Sequence, residues 1–381
     1  MSRSPRLRSG RTRVATAVVA TTAVVAMAGC GSSDDEQSSA EAATPEASEC
    51  VETAQAVVDA GRAELELVAP ESEVDQAELE GKSLWLVNVV NNQLTTVVAD
   101  GFTAGAEALG MDTTVIDGQG ETNTWIAGID QAVAQGADGI AILGIDPDLA
   151  SAPLQKAEDA GIPVVDIFNS NPADPMGTGI VAHVTPDFTR SGELVANWMM
   201  ADSGCEATAF VLGADVLELQ VEMMEAIEAT MAEDCPDCSV VRENVDLANL
   251  ANDLGTKVPN VLRREGDIDY LVPVFDSAVT FALPAAQQAG FEGKVLGHDG
   301  VPANLDLVRA GDQALDGAFP PNEWIGWATV DVLANAILGN PFEGYTIPVQ
   351  LFDETNIGSS NDELFPAYDG YEEAFTTAWG L

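Results

Sequence analysis

From Lys82 onward the chain repeats one unit: a short β-branched apolar run, a turn, then an amphipathic helix. The runs fall at Ser83–Val90, Asp112–Ile116, Gly139–Leu143, Pro163–Ile167 and Ile180–His183, then at Ala207–Leu212, Ser239–Arg242, Tyr270–Phe275 and Lys294–Gly297. Helical periodicity fills the gaps over Ala99–Leu109, Asn123–Gln135, Leu149–Ala160, Phe188–Met200, Leu217–Ala232, Leu250–Arg264, Ala278–Ala289 and Pro302–Ala310. Continuous apolar strands alternating with helices call for parallel sheets covered on both faces. Glycine closes five of the helices, at Gly110, Gly136, Gly161, Gly290 and Gly311, the position where a left-handed residue ends a helix without steric cost. Asp187 or Thr189 is placed to cap the helix that enters at 188.

Consecutive sets of five and four strands predict an α/β protein with two doubly wound parallel-sheet lobes, joined near Val184–Asp187. Size agrees, because single cores rarely grow past roughly 250–300 residues. A third stretch, Gly317–Leu351, holds a long helix over Glu323–Leu338 and a strand over Thr346–Leu351. The tail ends in a helix over Tyr368–Trp379.

Ahead of the repeats, Arg3, Arg6, Arg8, Arg11 and Arg13 precede an uncharged small-residue run, Val14–Gly29, and then Cys30. This is the grammar of a secretory signal, and the run falls short of the ~20 residues of a comfortable membrane span. Met27-Ala28-Gly29-Cys30 looks like a bacterial lipobox, with Met27 where Leu is usual. Residues 1–29 are therefore expected to be a lipoprotein signal peptide and Cys30 the acylated anchor; a plain secretory signal is the alternative. Residues 31–49, without an aromatic ring, read as a solvated acidic tether. Residues 30–80 as a whole are assigned to the lipidated Cys, this tether and an N-terminal helical segment.

Charge bounds the partners. The formal net charge is −47, with 62 Asp and Glu against 15 Lys and Arg, five of them in the leader. Nucleic acid is excluded, since phosphate binding needs clustered Lys and Arg. Anionic ligands face a repulsive field. With Cys30 acylated, Cys50, Cys205, Cys235 and Cys238 remain, an even number that permits disulfides in an oxidising compartment. Three pairings are possible; Cys205 precedes one strand and Cys235/Cys238 the next, so a bridge between them is sterically plausible. Cys235-Pro-Asp-Cys238 lies at a helix end, against a redox role, and only His183 and His298 are present to assist a metal.

Four motifs carry a resemblance to the type I periplasmic binding proteins that serve sugar transporters of the ATP-binding cassette class, over roughly Gly81–Leu351. They are Asn91-Asn92 with Asp100-Gly101; Gly136-Ala137-Asp138-Gly139-Ile140 leading to Asp146-Pro147, then Gly161-Ile162-Pro163-Val164-Val165; Val274-Phe275-Asp276; and Gly297-His298-Asp299-Gly300. The resemblance implies two lobes joined by a three-segment hinge, with 81–185 plus 320–340 in the first, 186–319 plus 341–352 in the second, and 353–381 as an extension. It implies a ligand held between the lobes. General physics puts it there too, outside the carboxyl ends of the strands.

Polar residues gather at those ends: Asn91, Asn92, Asp146, Asn169, Asp215, Asp276 and Asp299. For Asp146 and Asp215 the alternative is a turn cap; for Asp276 and Asp299 the resemblance favours ligand contact. Thr95, Gln220, Asn322 and Trp324 join the candidates. The sequence departs from the family's sugar binders where they carry an Asp-Arg pair, here Phe168-Asn169; a helical Arg, absent from Asp215–Gln220; aromatic rings, here Gln93, Leu94 and Thr95; and a Gln, here Phe319. These exchanges shift the cleft toward apolar recognition, unless Phe168 and Phe319 belong to the core. Arg190 either pairs with Asp187 or reaches the ligand.

The reading is a receptor that captures a small neutral or amphipathic ligand, sugar-like or less polar, and delivers it to a permease, without cofactor or metal and bound to the membrane only through its lipid. A sensor for a signalling receptor is the alternative. An enzyme is disfavoured: there is no Gly-x-Ser-x-Gly elbow, and Gly-x-Asp-Gly accounts for Asp299 beside His298 without chemistry.

Overall fold

The structure, a computed structural model, describes residues 45–70 and 73–381. The leader over 1–29, the acylation at Cys30 and the tether up to Thr44 lie outside these residues. The first part runs α1 (Pro45–Gly61), α2 (Gln76–Leu79), β1 (Ser83–Asn88), α3 (Gln93–Ala108), β2 (Asp112–Asp117), α4 (Thr122–Gln135), β3 (Gly139–Leu143), α5 (Ser151–Ala160), β4 (Val164–Ile167) and β5 (Ile180–Pro186). The second runs α6 (Phe188–Ser203), β6 (Thr208–Gly213), α7 (Glu218–Asp234), β7 (Ser239–Asn244), α8 (Leu250–Glu265), β8 (Tyr270–Val272), α9 (Asp276–Gln288), β9 (Lys294–Asp299), α10 (Pro302–Ala310) and β10 (Leu315–Ala318). The chain closes with α11 (Asn322–Leu338), β11 (Tyr345–Ile347), β12 (Gln350–Asp353) and α12 (Tyr371–Trp379).

Two six-stranded sheets result, ordered β11-β5-β4-β3-β1-β2 and β12-β10-β9-β8-β6-β7. Every pairing is parallel except β12 on β10. Central strands are sealed on both faces: all of β3 and β4 is buried. The edge strands β2 and β7 are half-exposed, which explains their weaker apolar pattern. Each sheet reverses direction of winding once, between β1 and β3 in the first and between β6 and β8 in the second. Loops leaving these strands diverge and open a crevice at their carboxyl ends.

The strand expected over Thr346–Leu351 is in fact two. Tyr345–Ile347 pairs with β5 in the first sheet, and Gln350–Asp353 pairs with β10 in the second. Pro348 falls between them and supplies no N–H for a continuous ladder. The last lobe crossing therefore lies between Ile347 and Gln350.

Two segments outside the repeats also bind the lobes. The expected tether ends earlier than Glu49, because α1 begins at Pro45 and docks on α6 through Ala54 and Val58. Beyond α1, Arg62 pairs with Asp353 in the second lobe, while Val68 O accepts a hydrogen bond of 3.2 Å from Trp324 Nε1 on α11. The C-terminal extension returns the other way. Phe365 packs on Phe352 of β12, and Tyr368 packs edge-on against Trp324. Farther on, Trp379 stacks on Trp327, with ring centroids 5.4 Å apart.

The disulfides join Cys50 to Cys205 and Cys235 to Cys238. The sterically plausible bridge from Cys205 to the Cys235/Cys238 pair is not formed. Docking of α1 delivers Cys50 to Cys205, and the turn after α7, closed by Cys238 N–H to Cys235 O, joins the other two. Cys235 Sγ lies 3.1 Å from Cys205 O, and the sulfurs of Cys50, Cys205 and Cys235 lie within 4.8 Å of one another, so the two bridges are neighbours.

Candidate functional site

Where the diverging loops of both sheets face one another they enclose a space of ≈ 50 Å³. The first lobe contributes Val89, Asn92, Leu94 and Thr95 after β1, Leu143 and Gly144 at the end of β3, and Phe168 after β4. The second contributes Leu217, Leu219 and Gln220 after β6, Phe275 after β8 and Asp299 at the end of β9. Phe188 and Phe319 come from two of the crossings between the lobes. A larger depression, ≈ 290 Å³, lies between α1 and the second lobe around Arg62, Trp198 and Asp353, but it takes nothing from the first lobe. The smaller space is the one at the sheets' switch points and between domains, where α/β proteins hold ligands.

The lobes touch around it. Gln93 N–H donates to Ser277 Oγ at 3.2 Å, and Asn171 Nδ2 donates to Glu222 Oε2 at 2.5 Å. Asn171 Oδ1 accepts from Phe188 N–H at 2.7 Å.

Six of the fourteen candidate residues line the space: Asn92, Thr95, Phe168, Gln220, Asp299 and Phe319. Asn92 and Thr95 cap α3 reciprocally, each side chain accepting from the other's backbone N–H at 2.9 Å. Thr95 Oγ1 also donates to Val90 O. Gln220, on the first turn of α7, is 3% exposed and makes no side-chain hydrogen bond to the described residues. Phe168 stacks on Phe319 with centroids 5.1 Å apart and meets Phe188 edge-on. Its φ of 57° is costly for a bulky residue, as is the 144° at Asp299.

Asp299 is held from behind. Its Oδ2 accepts from Asp276 N–H at 3.1 Å, and its Oδ1 lies 3.2 Å from His298 Nδ1. Burial lowers the pKa of His298, but the charge and hydrogen bond of Asp299, with the charge of Asp316, together outweigh it and the net shift is upward. Asp276 itself does not line the space. Fully buried, it accepts from Val301 N–H and sits beside Asp316. Burial, then the charges of Asp316 and Asp299, push its carboxyl well up, and burial pushes Asp316 up to about 6. Two such neighbours cannot both ionise. Asp276 thus meets Asp299 through its backbone N–H, while its carboxyl holds the Val301 N–H.

The remaining candidates are placed elsewhere. Asp146 Oδ1 accepts from Asp148 N–H, closing its own turn. Asp215 faces Asn244 and Arg242, and Arg190 pairs with Glu193 at 2.9 Å. Asn91 is exposed, its N–H donating to Asp117. Asn322 donates to Asp299 O and Pro320 O. Trp324 is wholly buried among the hinge segments. Asn169 is also wholly buried, with neither amide atom partnered among the described residues. Sequence reading missed the apolar wall, notably Leu143, Leu217, Leu219 and Phe275. The available signal was position alone, because each ends or follows a switch-point strand; at Val274-Phe275-Asp276 attention to the polar residue hid its neighbour.

Residues 84–341 match the family described as Periplasmic binding protein domain. The ribose import binding protein RbsB of Salmonella typhimurium is 24% identical over 275 residues, 70% of this chain and 88% of that protein. Among solved structures, a solute-binding protein of an ABC transporter from Bacillus halodurans with bound myo-inositol aligns at a TM-score of 0.66 and 19% identity, covering 76% of this chain and 99% of that one. One from Burkholderia graminis in complex with D-arabinose aligns at 0.67 and 18% identity, covering 74% and 98%.

Proposed function

The chain belongs to the periplasmic binding protein domain family, and on that premise we propose that it is the extracytoplasmic solute receptor of an ATP-binding cassette importer. It takes a small neutral ligand between its lobes and presents the closed form to a permease. The observation that carries this reading is the enclosed space walled by the switch-point loops of both sheets. A ligand there touches both lobes only when they are closed, so it binds the closed state more tightly and shifts the population toward it. The sugars and the cyclitol named for the related proteins are neutral, which agrees with a wall that carries no Lys or Arg.

Cys30 supplies the anchor in this reading, and residues 31–44 the reach between lipid and lobes. Among the described residues no helix is long and apolar enough to cross a membrane. Expression of Cys30→Ala should release the protein from the membrane fraction; continued membrane association would remove the anchor from the account. For the receptor itself, native mass spectrometry of freshly purified protein should reveal a co-purified small molecule. Absence of any such species, with no compound from a broad solute panel raising the melting temperature, would defeat the proposal.

A further inference from the structure

We infer that the ligand of this cleft is a neutral molecule built on an apolar or aromatic ring with few hydrogen-bonding groups, not a polyhydroxylated sugar. This rests on the receptor reading above and narrows it. The first argument is the accounting of polar groups. Four polar side chains reach the space, and two of them, Asn92 and Thr95, are engaged in capping α3. Asp299 already meets Asp276 N–H and His298. Of these four, Gln220 is the one whose side chain makes no hydrogen bond to the described residues. Each hydroxyl of a polyol entering such a site surrenders its water and finds few replacements, while a single amide or hydroxyl is matched by Gln220.

The second argument is the wall itself. Phenyl rings at 168, 188, 275 and 319 dominate it, with leucines from both lobes between them. Phe168 is held there at a positive φ, a strain that packing alone would relieve by a different residue. The stacked Phe168 and Phe319 rings line a space of only ≈ 50 Å³. An apolar cavity of roughly 150 Å³ is what admits a benzene-sized ring. A ring therefore enters as the lobes part and slots against the separated phenyl faces. Charge supplies the third argument. The net charge of −47 repels anions. The carboxylate of Asp299 is already met by an N–H and an imidazole, so the wall offers a cation no unpaired counter-charge.

The test uses the full chain in thermal-shift and calorimetric titrations. Neutral ring probes are 2-phenylethanol, cyclohexanol and benzamide; the comparison set is D-ribose, myo-inositol, benzylammonium and benzoate. The ring probes should bind and raise the melting temperature, with benzamide weakened roughly tenfold by Gln220→Leu. Phe319→Gln should weaken the ring probes and improve ribose. Tighter binding of ribose or inositol by the unaltered protein would overturn the ligand class and leave the receptor reading standing. Tighter binding of benzylammonium would overturn neutrality. Failure of every probe, with no small molecule co-purifying, would remove the receptor reading and this inference together; a co-purified polyol would remove this inference alone.

Discussion

Glu222 sits half-buried on α7 and accepts from Asn171 of the opposite lobe. Burial, then the charges of Asp174, Glu218, Asp187 and Glu225, raise its carboxyl from 4.5 to about 7. Glu218 is raised too, by burial and then by Asp146, Asp148 and Asp174 of the first lobe. Acid thus faces acid across the lobe boundary. A carboxyl that holds its proton more tightly in the native state stabilises most at low pH, and that contribution is lost as pH rises from about 4.5 through about 7. Glu222→Gln keeps an acceptor for Asn171 and removes the charge. Its melting temperature should exceed that of the unaltered protein at pH 8 and match it at pH 5; parallel curves would mean that solvent screens the repulsion. Neighbouring residues at 275 and 276 make a second contrast. Asp276→Ala leaves Val301 N–H unpaired and should cost about 1–3 kcal/mol of stability in denaturant titration. Phe275→Ala should instead act mainly on ligand affinity, because its ring lines the cleft.

Among the elements, α3 and α11 come closest. A methyl group on Gly101 would stand 2.0 Å from Glu323 O, and one on Gly326 2.1 Å from Phe102 N. The glycines let the backbones meet, and α11, apolar on every side, is buried there. Gly101→Ala should overpack the crossing, costing about 1–3 kcal/mol and lowering the melting temperature, with the cleft chemistry untouched. An unchanged melting temperature would show that the helices slide apart freely. At this scale the sequence was readable wherever burial on two faces produces an unbroken apolar run, as in Gly139–Leu143 and Pro163–Ile167. It was unreadable where one run serves two sheets: Thr346–Leu351 is short enough to pass for a single strand, and Pro348 is the hint that pairing changes. The site divides in the same way. Asp299 and Phe319 were legible from motif and departure. Trp324 was not, because a buried aromatic ring beside the hinge carries the same sequence signal whether it faces ligand or core.

At the scale of the molecule, the lobes are joined by more chain than the three crossings at 186–188, 319–321 and 348–349. The segment after α1 runs from Arg62 on the second lobe to Val68 and α2 beside α11. The tail runs from Phe365 on the second lobe to α12 on α11. Both meet Trp324, which also packs edge-on against Tyr345. Asp331 on α11 ties the arrangement, accepting from Tyr345 OH at 2.9 Å and Trp379 Nε1 at 2.7 Å. The Cys50–Cys205 bridge closes a loop of 155 residues, and loops of this size are worth about 2–5 kcal/mol. Hinge opening requires a few residues to change φ and ψ while the lobes stay rigid. If the same rotation also strains the two flanking straps, the open state lies higher and opens less. Ending the chain at Phe365 removes Tyr368 and α12, uncovering Trp324 and Trp327. The truncated, ligand-free protein should show a larger radius of gyration in solution scattering and a weaker apparent affinity, with the intrinsic contacts of the cleft unaltered. If truncation lowers stability while leaving the radius of gyration and the affinity where they were, the tail is a cover for α11 and takes no part in setting how far the lobes part.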